Sequence, residues 1–246
     1  MSLNSCKGFI LPYLFIFGFA CESSTKKNIN SLTIESESLK VNKFFERKFN
    51  DYVDGRPMFQ TRLGIKKDYD KWDDISPIAE EIEIQEAKES LSWLKDSVNV
   101  DSLDEPTRLS YVLFVQRTEN QILDYRFRLY NYPLNQMFGM QSDIPAFLIN
   151  LHKISTEQDA NDYISRLRGI RELFKQLEHN INERKDAGII APKFVFKHVL
   201  DDSKNIITGY PFDGADSCAL FVDFNSKLNR LNIPKTNKIK LLVEAE

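Results

Sequence analysis

The chain has 246 residues, of which 42% are hydrophobic and 28% are charged, and this balance is typical of a folded globular protein. Its 33 basic and 36 acidic residues give a net charge of −3, without the basic excess that nucleic-acid-binding proteins carry. With nine glycines, the chain is a poor match to glycine-rich phosphate-binding loops and turn-rich β folds, and the composition favours helices.

The N-terminus has the features of a secretory signal over residues 1–20. Lys7 precedes an uncharged run over residues 9–20, which is too short to cross a bilayer as a helix. Cys21 follows Ala20 directly and stands before a polar stretch, so this region resembles a bacterial lipoprotein signal. We therefore expect cleavage before Cys21 and a lipid on Cys21 that attaches the protein to the membrane. The alternative is an ordinary signal with an unmodified cysteine, which leaves a secreted protein.

The sequence predicts a simple organisation after the signal. Residues 21–38 are polar and lack a sustained apolar period, so we expect a lipid-anchored flexible tether. Residues 39–246 are expected to form one α-helical domain in the cell envelope, on the periplasmic or outer face of a membrane. Once Cys6 leaves with the signal and Cys21 carries lipid, Cys218 has no partner for an intrachain disulfide.

The spacing of apolar residues predicts an all-α fold, an irregular array of seven to nine helices with long connections at 56–75 and 203–215. Ser76 and Asp104 each precede a proline-containing helix start, and Ser155 with Gln158 has the spacing of a capping box. We expect the apolar residues of the two helices that begin at 77 and 105 to face the core, including Ile78, Ile82, Leu109 and Val112.

Motifs that would identify an enzyme are missing from the sequence. The three histidines, His152, His179 and His198, are not spaced as a helical metal-binding pair, and neither HExxH nor CxxC occurs. The hydrolase motif GxSxG and the nucleotide-binding motifs GxxxxGK[ST] and GxGxxG are also missing. The residues alone therefore point to no catalytic residue and no metal ligand in this chain.

A family resemblance is carried by several short segments in a fixed order. These segments are Tyr125-Arg126-Phe127, Tyr132-Pro133-Leu134-Asn135-Gln136 with Gly139, residues 144–152, residues 162–167 and residues 188–192. Together they resemble the bacterial domain-of-unknown-function family 885. With a looser match upstream, the resemblance covers about residues 40–246.

The resemblance implies a helical, exported or lipid-anchored protein related to zinc metallopeptidases of the gluzincin type. In that family the zinc ligands and the water-activating glutamate are expected in a His-Glu-Ala-x-Pro-Gly-His-His segment towards the C-terminus, and this chain contains no such segment. The resemblance therefore implies a noncatalytic N-terminal portion that is inactive alone, with zinc expected only with the missing C-terminal part. A C-terminal half or a peptide substrate would be its partner. The alternative is an envelope-anchored binding module with no catalytic role.

The irregular, amide-rich segment 131–142 is the candidate for a substrate-binding surface. Tyr132, Asn135 and Gln136 are predicted to form one wall of a groove, in which the two amides hydrogen-bond a peptide backbone. The alternative is that these amides cap neighbouring helices. We also expect the last two or three helices to present apolar side chains to solvent, where further helices would pack.

Overall fold

The structure is a computed structural model that describes the backbone of residues 20–214 and 216–246, and the side chains from residue 30 onwards within those ranges. The predicted signal lies almost entirely outside the described residues, and so does the side chain of Cys21. The described residues form nine α-helices: α1 (Ala20–Asp54), α2 (Pro57–Leu63), α3 (Pro77–Ser97), α4 (Glu105–Asp124), α5 (Met140–Asn150), α6 (Glu157–Asp186), α7 (Lys193–Ile206), α8 (Ala219–Asn229) and α9 (Lys235–Ala245).

The all-α fold is confirmed, since the described residues contain helices and one isolated β-bridge between Tyr210 and Ser217. Helices α1 to α4 pack mainly on one another, and α5 to α9 form a second group. Within the described part of the chain, no helix combines the length and apolar character that a membrane span requires.

Each group of helices has its own apolar centre. In the first group, the ring of Phe44 on α1 stacks on Trp93 of α3, with centroids 4.3 Å apart, and meets Phe114 of α4 edge-on. The second centre is the larger and joins α5, α6, α8 and α9. It consists of Leu148, Ala160, Tyr163, Ile164, Phe224, Leu228, Leu231 and Leu241.

Side-chain caps fix the starts of three long helices. Ser76 accepts a hydrogen bond from the N–H of Ala79, and Asp104 accepts one from the N–H of Thr107, so both predicted starts are confirmed. The predicted capping box is wrong by one residue, because the pair is Thr156 with Asp159. Asp159 occupies this position because its carboxylate also accepts from the backbone and hydroxyl of Ser155.

Helix α1 extends through residues 22–38, for which the polar sequence predicts a flexible tether. Two of these residues are tied to the helical body. Glu37 accepts hydrogen bonds from Lys40 and from the N–H of Asn99, and Ser38 accepts one from the N–H of Asp104. The polar face of α1 therefore satisfies backbone groups where α3 ends and α4 begins.

The predicted connection 56–75 contains the short helix α2. Pro57 occupies a first helical position, and Asp73 accepts a hydrogen bond from the N–H of Met58, one of the groups that a helix start leaves unpaired. Gly64 ends the helix with a φ of +78°, a left-handed conformation that favours glycine. The second predicted connection is shorter than expected, because α7 continues to Ile206.

The buried faces of α3 and α4 differ from the prediction. The side chains of α3 that enter the interior are Ile84, Ala87, Ser90 and Leu94, whereas Ile78 and Ile82 are exposed. On α4 the two buried residues are Thr107 and Thr118. Thr107 accepts a hydrogen bond from Asn42 of α1, and Thr118 donates to the carbonyl of Phe114. The buried residues of α4 are therefore polar side chains that form hydrogen bonds.

Arg166 of α6 is buried and forms hydrogen bonds with the segment that precedes α3. Arg166 has no exposed surface. Its Nε donates to the carbonyl of Lys71 at 3.0 Å, Nη1 to Nδ1 of His152 at 2.9 Å and Nη2 to Oγ1 of Thr61 at 2.7 Å. A buried cation is costly unless its donors are satisfied, and here every nitrogen of the guanidinium has an acceptor.

Aromatic rings enclose the same guanidinium. Its central carbon lies 4.9 Å from the ring centroid of Phe147, 5.1 Å from that of Tyr69 and 5.6 Å from that of Trp72. The faces of such rings attract cations. Burial lowers the pKa of Arg166 to about 10, partly opposed by the charges of nearby tyrosine and aspartate side chains. The side chain therefore remains charged at neutral pH.

His152 is held in one neutral form. Its Nδ1 accepts from Arg166, so Nε2 carries the proton and donates to the carbonyl of Asp159 at 2.9 Å. Burial lowers the pKa of His152 to about 4, and the charge of Arg166 contributes to the lowering. Tyr69 covers the ring, with centroids 4.2 Å apart. Both ring nitrogens are thus engaged within the protein.

Asp159 completes this buried polar network, which we call the Arg166 hub. Its carboxylate lies 2.7 Å from Nζ of Lys66 and also accepts from the N–H groups of Ser155 and Thr156. Burial alone would raise the pKa of Asp159, but the hydrogen bonds from Lys66 and Ser155 outweigh it and lower the pKa to about 2.

Replacement of Arg166 should destabilise the protein strongly. Arg166→Met leaves Thr61, His152 and the Lys71 carbonyl without their donors, and we expect a loss of about 3–5 kcal/mol in the free energy of unfolding. Arg171→Met, at an exposed position of the same helix, should change it by less than about 0.5 kcal/mol. Urea unfolding of residues 22–246 measures the free energy of unfolding of both variants. Similar losses in the two variants would contradict the stabilising role of the Arg166 hub.

The stability of the protein should depend on pH through His152. Its pKa is lower in the folded state, so the unfolded chain binds the proton first as the pH falls from about 6.5 to 4, and stability declines over this range by about 3 kcal/mol. His152→Gln retains one acceptor and one donor but does not titrate, so this decline should disappear. The exposed His179→Gln should keep it. Unfolding free energies measured at pH 7.5, 5.5 and 4.5 test the assignment.

Candidate functional site

The segment 131–139 lies between the helical turn after α4 and the start of α5. Asn135 holds it together: its Oδ1 accepts from the N–H groups of Met137 and Phe138, and its Nδ2 donates to the carbonyl of Tyr132 at 3.0 Å. An asparagine that satisfies backbone groups in this way is common in turns. The amide of Asn135 is therefore engaged within its own segment.

The other two candidate residues are more accessible. Tyr132 is 40% exposed, and Gln136 lies on the surface without a hydrogen-bond partner among the described residues. Met137 and Phe138 follow, 68% and 75% exposed, so the tip of the segment carries free amide and apolar side chains together. The structure thus places Tyr132, Asn135 and Gln136 on one loop, and Gln136 is the residue whose amide is available to a ligand.

Gln141 and Gly139 fix the base of this loop. Nε2 of Gln141 donates to the carbonyl of Asn135 at 2.6 Å and lies 3.4 Å from Asp202 of α7. A Cβ atom on Gly139 would lie 1.9 Å from Oε1 of Gln141 and 2.6 Å from the N atom of Asn135, so a larger residue cannot fit. The loop is therefore built on the contact between α5 and α7.

A second buried polar group joins α5, α6 and α8. Nζ of Lys227 donates to the carbonyls of Leu148 and Ile149 at the end of α5 and forms an ion pair with Asp223 at 2.6 Å. The fully buried ring of Tyr163 packs beside it, and burial together with the charge of Asp223 raises the pKa of its hydroxyl. These side chains close the end of α5, and Lys227 and Asp223 are mostly covered there.

The arrangement of Ser155 and Lys66 does not provide a nucleophile. Nζ of Lys66 lies 3.0 Å from Oγ of Ser155, but the same Nζ is paired with the carboxylate of Asp159. Oγ of Ser155 donates to that carboxylate as well. The Lys66 amine and the Ser155 hydroxyl both donate to the Asp159 carboxylate, so neither group is free to act as a base or a nucleophile. Among the described residues, no group of three histidine, cysteine, aspartate or glutamate side chains could hold a metal ion.

An acidic cavity of about 330 Å³ lies between α3 and α4, and no motif in the sequence marks it. Glu80 and Glu83 line it from α3, Asp124 from the end of α4, and Arg128 from the turn that follows. Glu83 pairs with Arg56, and Arg128 pairs with Glu183 of α6. Glu80 and Asp124 form no ion pair with any described residue. These residues are 44 positions apart, so no local pattern reveals the site.

Two substitutions should separate the structural and binding roles of the loop. Asn135→Ala removes the bonds that close the turn and should lower stability by about 1–2 kcal/mol, with faster proteolysis within 131–139. Gln136→Ala removes an exposed amide and should change stability by less than about 0.5 kcal/mol. Thermal unfolding and limited proteolysis measure both effects. Equal effects of the two variants would contradict the assigned role of Asn135.

Comparison with solved structures finds a related fold. The chain is similar to "the putative lipoprotein from Colwellia psychrerythraea", with a TM-score of 0.67 and 16% sequence identity. The match covers 88% of this chain and 37% of that protein, so this chain spans well under half the length of its structural relative. At this identity the likeness establishes the fold alone. A comparison with curated proteins finds no match.

Comparison with protein families gives an independent result. The family described as "Bacterial protein of unknown function (DUF885)" matches residues 57–245. The matched range begins at α2 and includes the Arg166 hub, the loop 131–139 and all helices to α9. Because the match covers most of the sequence, the chain belongs to the bacterial DUF885 family.

Proposed function

We propose that this protein is an exported, lipid-anchored helical scaffold that forms the noncatalytic N-terminal portion of a zinc-peptidase-like assembly and is inactive alone. Membership of the DUF885 family supports the resemblance on which this function is based. The description of the structural relative as a lipoprotein, together with Cys21 after an apolar N-terminal run, supports attachment to the envelope.

The observation that carries the proposal is the apolar surface of the last three helices. Exposed apolar patches commonly mark binding sites, and each of these three helices exposes large apolar side chains. Phe196 and Leu200 of α7 are 50% and 57% exposed, although α7 makes its main contacts with α5. Val222 of α8 and Ile239 and Val243 of α9 are also more than half exposed. These side chains offer a surface on which the helices of a second polypeptide can pack.

We assign the metal chemistry to the C-terminal portion of the assembly. The segment that binds zinc in the resembled peptidases is missing from this sequence, and both ring nitrogens of His152 are engaged in the hub. A zinc-bound water and a glutamate that activates it would then come from the partner. The present chain would contribute the surface of the groove, with the loop that carries Tyr132, Asn135 and Gln136 as its candidate wall.

Co-expression tests the proposal. Residues 22–246 are produced alone and together with the polypeptide encoded directly downstream, and bound zinc and hydrolysis of a mixed peptide library are measured. We expect neither zinc nor hydrolysis from the chain alone, and both from a co-purifying complex. Stoichiometric zinc and turnover from residues 22–246 alone would overturn the proposal, and so would a downstream polypeptide that neither co-purifies nor restores activity.

A matched pair of variants examines the surface. Phe196→Asp combined with Leu200→Asp places charges on the exposed apolar side of α7 and should abolish co-purification while the helical signal in circular dichroism is retained. Asn205→Asp adds the same kind of charge nine residues after Phe196, on the opposite side of the helix, and should leave the complex intact. Loss of the complex in both variants would indicate a general effect of charge.

The second candidate function is an envelope-anchored binding module with no catalytic role. It is favoured by the exposed aromatic side chains beside the candidate loop, among which Tyr130 is 70% and Phe138 75% exposed. Aromatic side chains of this kind are enriched at binding surfaces. A stable complex without zinc or hydrolysis in the co-expression experiment would support this function over the first.

A further inference from the structure

Helix α4 turns its aliphatic side chains towards solvent. Its two buried residues are threonines, Thr107 and Thr118. Leu109 is 60% exposed, Val112 50%, and Leu113 and Leu123 55% each. A surface helix of a globular protein normally shows the reverse arrangement, with its aliphatic side chains against the core. The exposed side of α4 therefore carries four large aliphatic side chains among its polar ones.

Three leucines and two amides form one stripe along this side of α4. Leu109, Leu113, Gln116, Asn120 and Leu123 follow each other at intervals of three or four residues, so they lie on one side of the helix. Thr107 and Thr118 lie on the opposite side, against α3 and α1. The stripe is about 20 Å long, which is the length of four helical turns.

The acidic cavity continues this stripe at its C-terminal end. A shallow concavity beside α4 is lined by Leu113, Gln116, Arg117 and Asn120, and it shares Gln121 and Asp124 with the acidic cavity. Glu80 and Asp124 provide two carboxylates there without an ion pair among the described residues. The surface thus combines a stripe of leucine and amide side chains with a cavity at one end in which three carboxylates outnumber the one arginine.

We propose that the stripe of α4 and the acidic cavity together form a docking site for an amphipathic helix of another polypeptide, with a lysine or arginine side chain of that helix in the cavity. A docked helix is held by side chains at three- and four-residue spacing, and the leucines and amides of the stripe have this spacing. The charge of the cavity selects a cationic side chain at one end and sets the direction of the helix.

The carboxylates also argue against an anionic membrane as the occupant, because they would repel its surface. The inference rests on the proposed function only in that the chain acts by binding a second polypeptide. It concerns a different surface from the exposed side chains of α7. Its failure would leave the co-expression result untouched.

Site-specific photocrosslinking tests the inference in the full chain within its own bacterium. p-Benzoylphenylalanine replaces Leu113, and the adduct is analysed by mass spectrometry. We expect one adduct whose partner peptide carries apolar residues at helical spacing and a lysine or arginine. The same crosslinker at the exposed Arg171 on α6 is the positional control and should not yield this adduct.

A charge exchange provides the decisive comparison. Asp124→Lys should lower the adduct yield about ten-fold, and replacement of the partner's basic residue by glutamate should restore it. Glu89→Lys, an exposed substitution on α3 away from the cavity, should have no effect. An adduct with a second copy of this chain, a lipid adduct, no adduct, or a yield that is insensitive to Asp124→Lys would each overturn the inference.

Discussion

The fold depends on one buried positive charge. The guanidinium of Arg166 is removed from water, and three separate parts of the chain must be in place to satisfy it: α2 with Thr61, the segment around Lys71, and His152 after α5. The hydrogen bonds have defined directions, so they fix the orientation of these parts as well as their proximity. Apolar packing alone would tolerate small rotations that this network excludes.

The same network links stability to the start of the longest helix of the second group. Asp159 is at once the capping residue of α6, the ion-pair partner of Lys66 and, through its carbonyl, the acceptor for His152. A single residue thereby joins helix initiation to the interior. The candidate surfaces, the loop 131–139 and the stripe of α4, lie outside this network, so they can vary without loss of the fold.

The sequence predicted the helices well and the interior poorly. Capping residues and apolar periodicity are local signals, and Ser76, Asp104 and the start of α6 were found to within one residue. The outward side of α4 was not predicted, because aliphatic periodicity shows which residues share a side and not which side faces the core. In sequence Arg166 has the appearance of a surface residue, since its acceptors lie up to 109 positions away. The amide-rich loop could be located from its composition. The role of Asn135 could not be predicted, because its hydrogen bonds depend on the backbone conformation of the loop.

The separation of these contacts has a consequence for how the chain reaches its native state. Helices form from neighbouring residues within microseconds, whereas the bonds of Arg166 close loops of about 100 residues. Until Thr61 and Lys71 are in place, two nitrogens of the guanidinium lack their protein acceptors and are better hydrated by water. Its desolvation is therefore deferred to the step that brings the two groups of helices together. That step makes them one cooperative unit, since separating them again would leave the charge without its acceptors.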